Sequence, residues 1–220
     1  MSNIYLMLID AVPDAIDWIT YCRAHMLYDA LPNCAGIYRS SDPPAPLKSA
    51  PEGWNLYVLC HGNADAIGGL DGSDLADLLH DIIPSNKLGF IHLQSCATGE
   101  KPASAFTTRL GQLRHKVIVK APSASATFTD EIGFRVLDAG SYTPLLKSQY
   151  KALVDKYKKI GEDTVAAAGT GNLRNLCRSV YQATFIFWQK FSTLFKQCSM
   201  PTGAGWKAYE TTSTGSKEIV

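Results

Sequence analysis

Thiol chemistry on a carbonyl group needs an ionisable sulfur that a substrate can reach and an imidazole that manages the proton on the leaving amine. His61 and Cys96 have those types at comparable places in the chain. His61 closes the apolar run Trp54–Cys60 and precedes Gly62, while Cys96 follows the apolar run Leu88–Leu93 and a polar Gln94-Ser95 pair. A helical segment follows Cys96, with Pro102 suited to its first turn, and a helix N-terminus favours a thiolate. Singly, each residue has an ordinary reading: free cysteines are among the most buried residues, and a His-Gly pair often only turns the chain. Together, at the ends of two successive buried strands, they point to a shared site. Ligands of an open parallel sheet bind outside the carboxyl ends of its strands. Cys60 is read as core, because strand alternation sends its side chain away from that of His61. Cys22, Cys34, Cys177 and Cys198 are also read as structural, and His92 as a packing residue or one that supports the site from behind.

The elements that would position this pair alternate in type. Ile4–Ile9 reads as a strand, the segment opened by Pro13 as a helix, Ala35–Arg39 as a short strand, and Trp54–Cys60 as a buried strand. Ser73–Ile83 reads as a helix stopped by Pro84, followed by strands over Leu88–Leu93 and Val117–Val119. Four of the eleven prolines fall between Ser40 and Gly53, so a loop is expected there. This order predicts an α/β fold, a three-layer sandwich with a mostly parallel sheet and helices on both faces. Ala126–Thr129 and Phe134–Leu137 read as a strand pair, and helices are expected over Leu145–Ile160 and Leu173–Phe195. Three regions result: an α/β core over 1–144, a helical region packed on it over 145–200, and a flexible tail over 201–220, whose polar end has few apolar residues.

With 220 residues and 46% hydrophobic content, the chain can bury one sizeable core. A formal charge of +1 without a long basic run argues against nucleic acid as the main partner. The six cysteines show no framework spacing and are expected reduced. No Cys-x-x-Cys occurs, and adjacent Cys60 and His61 chelate poorly, so neither a metal nor another cofactor is expected. The first ten residues lack the features of a signal peptide, which predicts a cytoplasmic protein or one secreted by a signal-independent route. The 173–195 tract is heavily apolar, but charged and amide side chains interrupt it. It is expected to pack across the sheet's open face, with a protein partner or a membrane surface as alternatives, and no transmembrane segment is expected.

The run from Leu56 to Gly62, followed by Ile91-His-Leu-Gln94-Ser95-Cys96-Ala97-Thr98-Gly99, resembles the paired strand-plus-His-Gly and strand-plus-Cys signatures of caspase-like cysteine peptidases. The Ser-Cys-x-Thr-Gly ending is especially similar to CHAT proteases, and self-processing toxin domains belong to the same clan. The resemblance spans about Ile4 to Ala121 and implies a protein or peptide substrate. It also implies Cys96 as nucleophile, His61 as proton donor to the leaving group, and the Gly62 and Cys96 amides as the oxyanion hole. By the same resemblance, Ala121, Pro122 and Ser123 would pair with a bound peptide as an added strand. Gln94, two positions before Cys96, is expected to line the pocket beside the nucleophile. A neutral amide there predicts cleavage after a neutral or small residue, with basic residues disfavoured. Two other readings share these residues: an inactive interaction module and a cysteine-dependent deamidase or acyltransferase.

Overall fold

The computed structural model describes residues 3–42, 47, 50, 52–83, 88–129, 133–138, 140, 142–169, 171–201 and 203–219. The apolar run at the start forms β1 (Ile4–Leu8), buried throughout. Asp17 caps helix α1 (Trp18–Ala30), its carboxylate accepting the Thr20 amide. Strands β2 (Cys34–Arg39) and β3 (Trp54–Leu59), helix α2 (Gly72–His80), β4 (Leu88–Gln94), helix α3 (Lys101–Gln112) and β5 (Ile118–Pro122) complete the alternating part. The loop expected over Ser40–Gly53 and the stop at Pro84 fall largely outside the described residues.

One seven-stranded sheet has the order β2-β1-β3-β4-β5-β8-β9, where β8 is Trp206–Thr212 and β9 is Gly215–Glu218, and its first five strands are parallel. Alternation divides the core in two. On one face, Met7, Trp54, Leu56, Val58, Cys60, Ile91 and Val119 pack against Leu75 and Leu79 of α2 and Phe106 and Leu110 of α3. On the other, Leu6, Leu8, Ile37 and Leu59 meet α1 and the helices of the second half. The result is a three-layer α/β arrangement with a mostly parallel sheet.

The second half begins with the hairpin β6 (Ala126–Thr129) and β7 (Gly133–Val136), as the sequence predicts. Helix α4 runs over Pro144–Ala168, past the expected end at Ile160. The tract read as one helix over Leu173–Phe195 is two, α5 (Leu173–Ala183) and α6 (Phe185–Cys198). Thr184 breaks it: its fully buried hydroxyl donates to the Val180 carbonyl at 2.7 Å and lies 3.1 Å from the Cys22 sulfur. A back-bonded threonine bends a helix. Both helices pack on α1 with Phe187, Trp188 and Phe191 buried, so the tract lies against a helix of the sheet's covering layer where packing across the sheet itself was expected. No helix among the described residues is long and apolar enough to cross a membrane.

The tail read as flexible is instead part of the sheet. Strand β8 (Trp206–Thr212) pairs antiparallel with β5, and β9 (Gly215–Glu218) pairs with β8. Tyr209 supplies the anchor: it is 5% exposed, and its hydroxyl donates to the Gly99 carbonyl at 2.7 Å. Aromatic and β-branched residues at 206–212 favour a strand once an edge is available, which overall polarity hides.

Gly161, mid-way along α4, is buried against Trp18 of α1, whose ring occupies the space a Cβ would need. Gly161→Ala is expected to destabilise the protein by about 1–3 kcal/mol through overpacking. A denaturant midpoint lowered at unchanged slope is the check.

Candidate active site

Strands β3 and β4 are parallel neighbours, with Leu59 opposite Gln94, so the chain leaves both at the same edge. Beyond β3 come Cys60, His61 and Gly62; beyond β4 come Ser95 and Cys96. The two exits are tied together. The Cys60 sulfur lies 3.0 Å from the Ser95 hydroxyl, and a Cβ on Gly62 would stand 2.7 Å from Ser95 Cβ and 3.1 Å from the Cys96 carbonyl oxygen. Gly62 is thus required by close approach of the two loops. His61 and Cys96 line one cavity of about 130 Å³.

The Cys96 turn is held in an unusual conformation. Ala97 has φ of 54°, a left-handed value uncommon for a residue with a side chain. Bonds from several segments impose it: the Ala97 amide donates to Ala124 O at 2.9 Å, the Gly99 amide to Pro122 O at 2.8 Å, and the Thr98 hydroxyl to Ser95 O at 3.0 Å. Cys96 Sγ lies 3.9 Å from the Ala126 carbonyl oxygen. Neither the Gly62 nor the Cys96 amide donates to a backbone carbonyl in the described loops and turns. Burial pushes the Cys22, Cys60 and Cys177 thiols up to about 12, which makes them inert at neutral pH.

His61 has a partner that the sequence did not disclose. Its Nε2 lies 3.0 Å from the Asp17 carboxylate, leaving Nδ1 as the ring nitrogen for a thiol or a leaving group. Asp17 is itself fixed by the Thr20 amide and hydroxyl, each at 2.9 Å. The hydrogen bond to Asp17 holds the imidazole above its usual range, against the opposing effect of burial. Burial alone would raise the Asp17 carboxyl, but bonds from His61 and Thr20 and the imidazolium charge bring it below its usual range. Asp17 was legible only as a helix N-cap, the polar residue just ahead of the apolar tract of α1.

No protein-family model matches this chain, and no curated protein matches it. The site therefore rests on its own geometry.

Gln94 does not border the cavity as expected. It is 1% exposed, its Oε1 has no partner among the described residues, and its backbone oxygen accepts from Arg23 Nη2 at 2.7 Å. The expectation extended strand alternation to Cys96, but β4 ends at Gln94 and the chain turns before the cysteine. Arg23 of α1 lines the cavity instead, 5% exposed and with Nε unpartnered among the described residues. Ala121, Pro122 and Ser123 are placed beside the Cys96 turn, but their outer edge is occupied. Ala121 faces Lys207, Pro122 faces Trp206, and the Ser123 amide and hydroxyl both donate to Gly205 O at 2.8 Å. The expected strand-addition edge is therefore already filled by the chain itself. Tyr150 of α4, with Phe191 and Leu194 of α6, completes the cavity wall, so the helical region contributes to the site. His92 stacks on Tyr57 at 4.4 Å, and burial together with Lys120 pushes it down to about 4, which fits a packing role. Among the described residues no group of three or more His, Cys, Asp or Glu is arranged to hold a metal ion.

Two outcomes are expected. Gly62→Ala forces the Ser95–Thr98 turn away from His61, so Cys96 alkylation by a peptidyl electrophile slows by about tenfold or more, a loss of at least ~1.4 kcal/mol in the barrier. Asp17→Asn removes the carboxylate charge from the bond that raises the imidazole. The His61 titration, followed by NMR, then moves toward lower pH. The pairing stabilises the fold below the ordinary histidine range and is lost as pH rises through the raised value; on the acid side it is lost as pH falls through the lowered Asp17 value. Asp17→Asn should remove both limbs from a stability-pH curve.

Proposed function

We propose that this chain is a cysteine endopeptidase with a caspase-like arrangement of sheet and site. The observation that carries the reading is the convergence of His61 and Cys96 on one cavity, with Gly62 packed against the Cys96 turn and Asp17 behind the imidazole. In the reaction the Cys96 thiolate attacks the scissile carbonyl carbon, and the oxygen takes the negative charge beside the Gly62 and Cys96 amides. Collapse of that intermediate breaks the C–N bond, with His61 giving its proton to the departing amine and Asp17 keeping the ring oriented. Water then attacks the thioester, releasing the new carboxylate and restoring the thiol. The compact, largely apolar cavity walls support a neutral side chain before the scissile bond, and the buried Arg23 charge disfavours lysine or arginine there.

A second reading has an observation in its favour. Because Gly205 and β8 occupy the outer edge of Pro122 and Ser123, an extended peptide has no free strand to pair with at that edge. The same nucleophile and imidazole acting on a side-chain amide, as a deamidase or acyltransferase, would not need one.

Treatment with a peptidyl acyloxymethyl ketone, followed by mass spectrometry, tests the proposal. The adduct is expected on Cys96 alone, with cleavage of a protein mixture reduced about a thousandfold or more by Cys96→Ala and by His61→Ala while both variants stay folded. Proteolysis that survives Cys96→Ala would remove the proposal. Labelling of Cys96 with deamidated or acylated products and no cleaved bonds would replace it with the second reading.

A further inference from the structure

Charge is distributed unevenly along this nearly neutral chain. Between Pro144 and Cys198, nine lysines and arginines stand against three acidic residues, whereas the whole chain has 21 against 20. Four of the five exposed large hydrophobic residues among those described, Leu145, Ile160, Phe185 and Ile186, also belong to this helical region. Helices α4 and α6 run antiparallel, since Tyr150 packs on Phe191 and Tyr157 on Phe187. Between their outer faces lies an open groove of about 480 Å³, with Ala152, Leu153 and Leu194 among its lining residues and Lys156 and Lys190 contributed by the two helices. Three other lysines of α4 are paired, Lys151 with Asp155, Lys158 with Glu162 and Lys159 with Asp163, and Lys147 lies outside the groove lining. Lys156 and Lys190 have no carboxylate partner among the described residues, and Lys156 rests over the Tyr157 ring at 5.5 Å.

We infer that this groove docks an acidic amphipathic helix of a protein partner. Two antiparallel helices present the concave seat that a third helix fills, and small Ala152 admits its backbone closely. Leu145 and Ile160 lie on the α4 face that includes Ala152, at i, i+7 and i+15, and mark out about 22 Å of helix, or roughly four turns of partner. Two unpaired lysines flanking an apolar floor select carboxylates at the rim of that partner and reject a basic helix. A groove suits a helix better than a flat bilayer, which would need the apolar residues to protrude together. Leu194 also walls the Cys96 cavity, so the occupant would lie one side chain from it. The docking itself does not depend on the Cys96 chemistry.

The test uses the whole chain and a fluorescent synthetic peptide of about four turns, with leucine at helical spacing and glutamate elsewhere. Saturable binding is expected, weakened by salt. Lys156→Glu with Lys190→Glu should weaken it by about tenfold or more, and Ala152→Trp, which fills the floor, should abolish it. All three positions are exposed, so thermal melts should match the parent; Lys156→Gln with Lys190→Gln serves if the reversed pair does not fold. Absence of binding, binding indifferent to these substitutions, or equal binding of the peptide with lysine in place of glutamate would overturn the inference. So would vesicles of anionic lipid that bind through Lys156 and Lys190 when the peptide does not.

Discussion

Parallel strands end at the same edge of a sheet, and that constraint, applied to β3 and β4, makes everything else about this site possible. With Leu59 set against Gln94, the next residues of both chains must share a small volume at the edge, and only glycine at position 62 leaves room for the Cys96 turn to close. Burial of the sheet on both faces fixes this register. A slip of one residue would move Val58 and Leu56 out of one core and Tyr57 into it. The His61 and Cys96 positions are thus held by the hydrophobic core, through strand pairing.

Conformational strain at Ala97 is maintained by segments that are remote in sequence. Ala124 and Pro122 accept its neighbourhood's amides, Tyr209 of β8 holds the Gly99 carbonyl, and Arg23 of α1 clasps the Gln94 carbonyl just ahead of the turn. Each is a single hydrogen bond, worth about 1 kcal/mol on balance, or somewhat more for the charged Arg23. Together they fix a non-glycine residue in a left-handed conformation, while neither the Gly62 nor the Cys96 amide donates to a backbone carbonyl in the described loops and turns. In the proposed reaction, donors already in place would need no rearrangement as charge develops.

The helical region changes the character of the site. Tyr150, Phe191 and Leu194 close over an edge that an isolated α/β core would leave open, turning a surface crevice into a cavity of about 130 Å³. The same helices bury Phe187 against Trp18, which in turn precedes Thr20 and follows Asp17 at the start of α1. Packing of the second half therefore secures the helix terminus that orients His61. A truncation that removed α5 and α6 would disturb the imidazole as well as the core.

What the sequence determined by itself was local. Apolar runs such as Ile4–Leu8 and Trp54–Leu59 marked buried strands, their alternation with helical tracts marked a parallel sheet, and residues just past two strand ends marked His61 and Cys96. These are properties of short windows, in which periodicity and turn chemistry act directly. Tertiary structure alone decided the rest. Asp17 faces His61 because the His61 amide donates to Ala15 O just ahead of α1, Arg23 takes the cavity position expected for Gln94 because the chain turns after β4, and polar residues 206–218 become strands because β5 offers them an edge. Each of these depends on which surfaces meet after collapse, and a contact between residues far apart in sequence leaves no periodic trace in either segment.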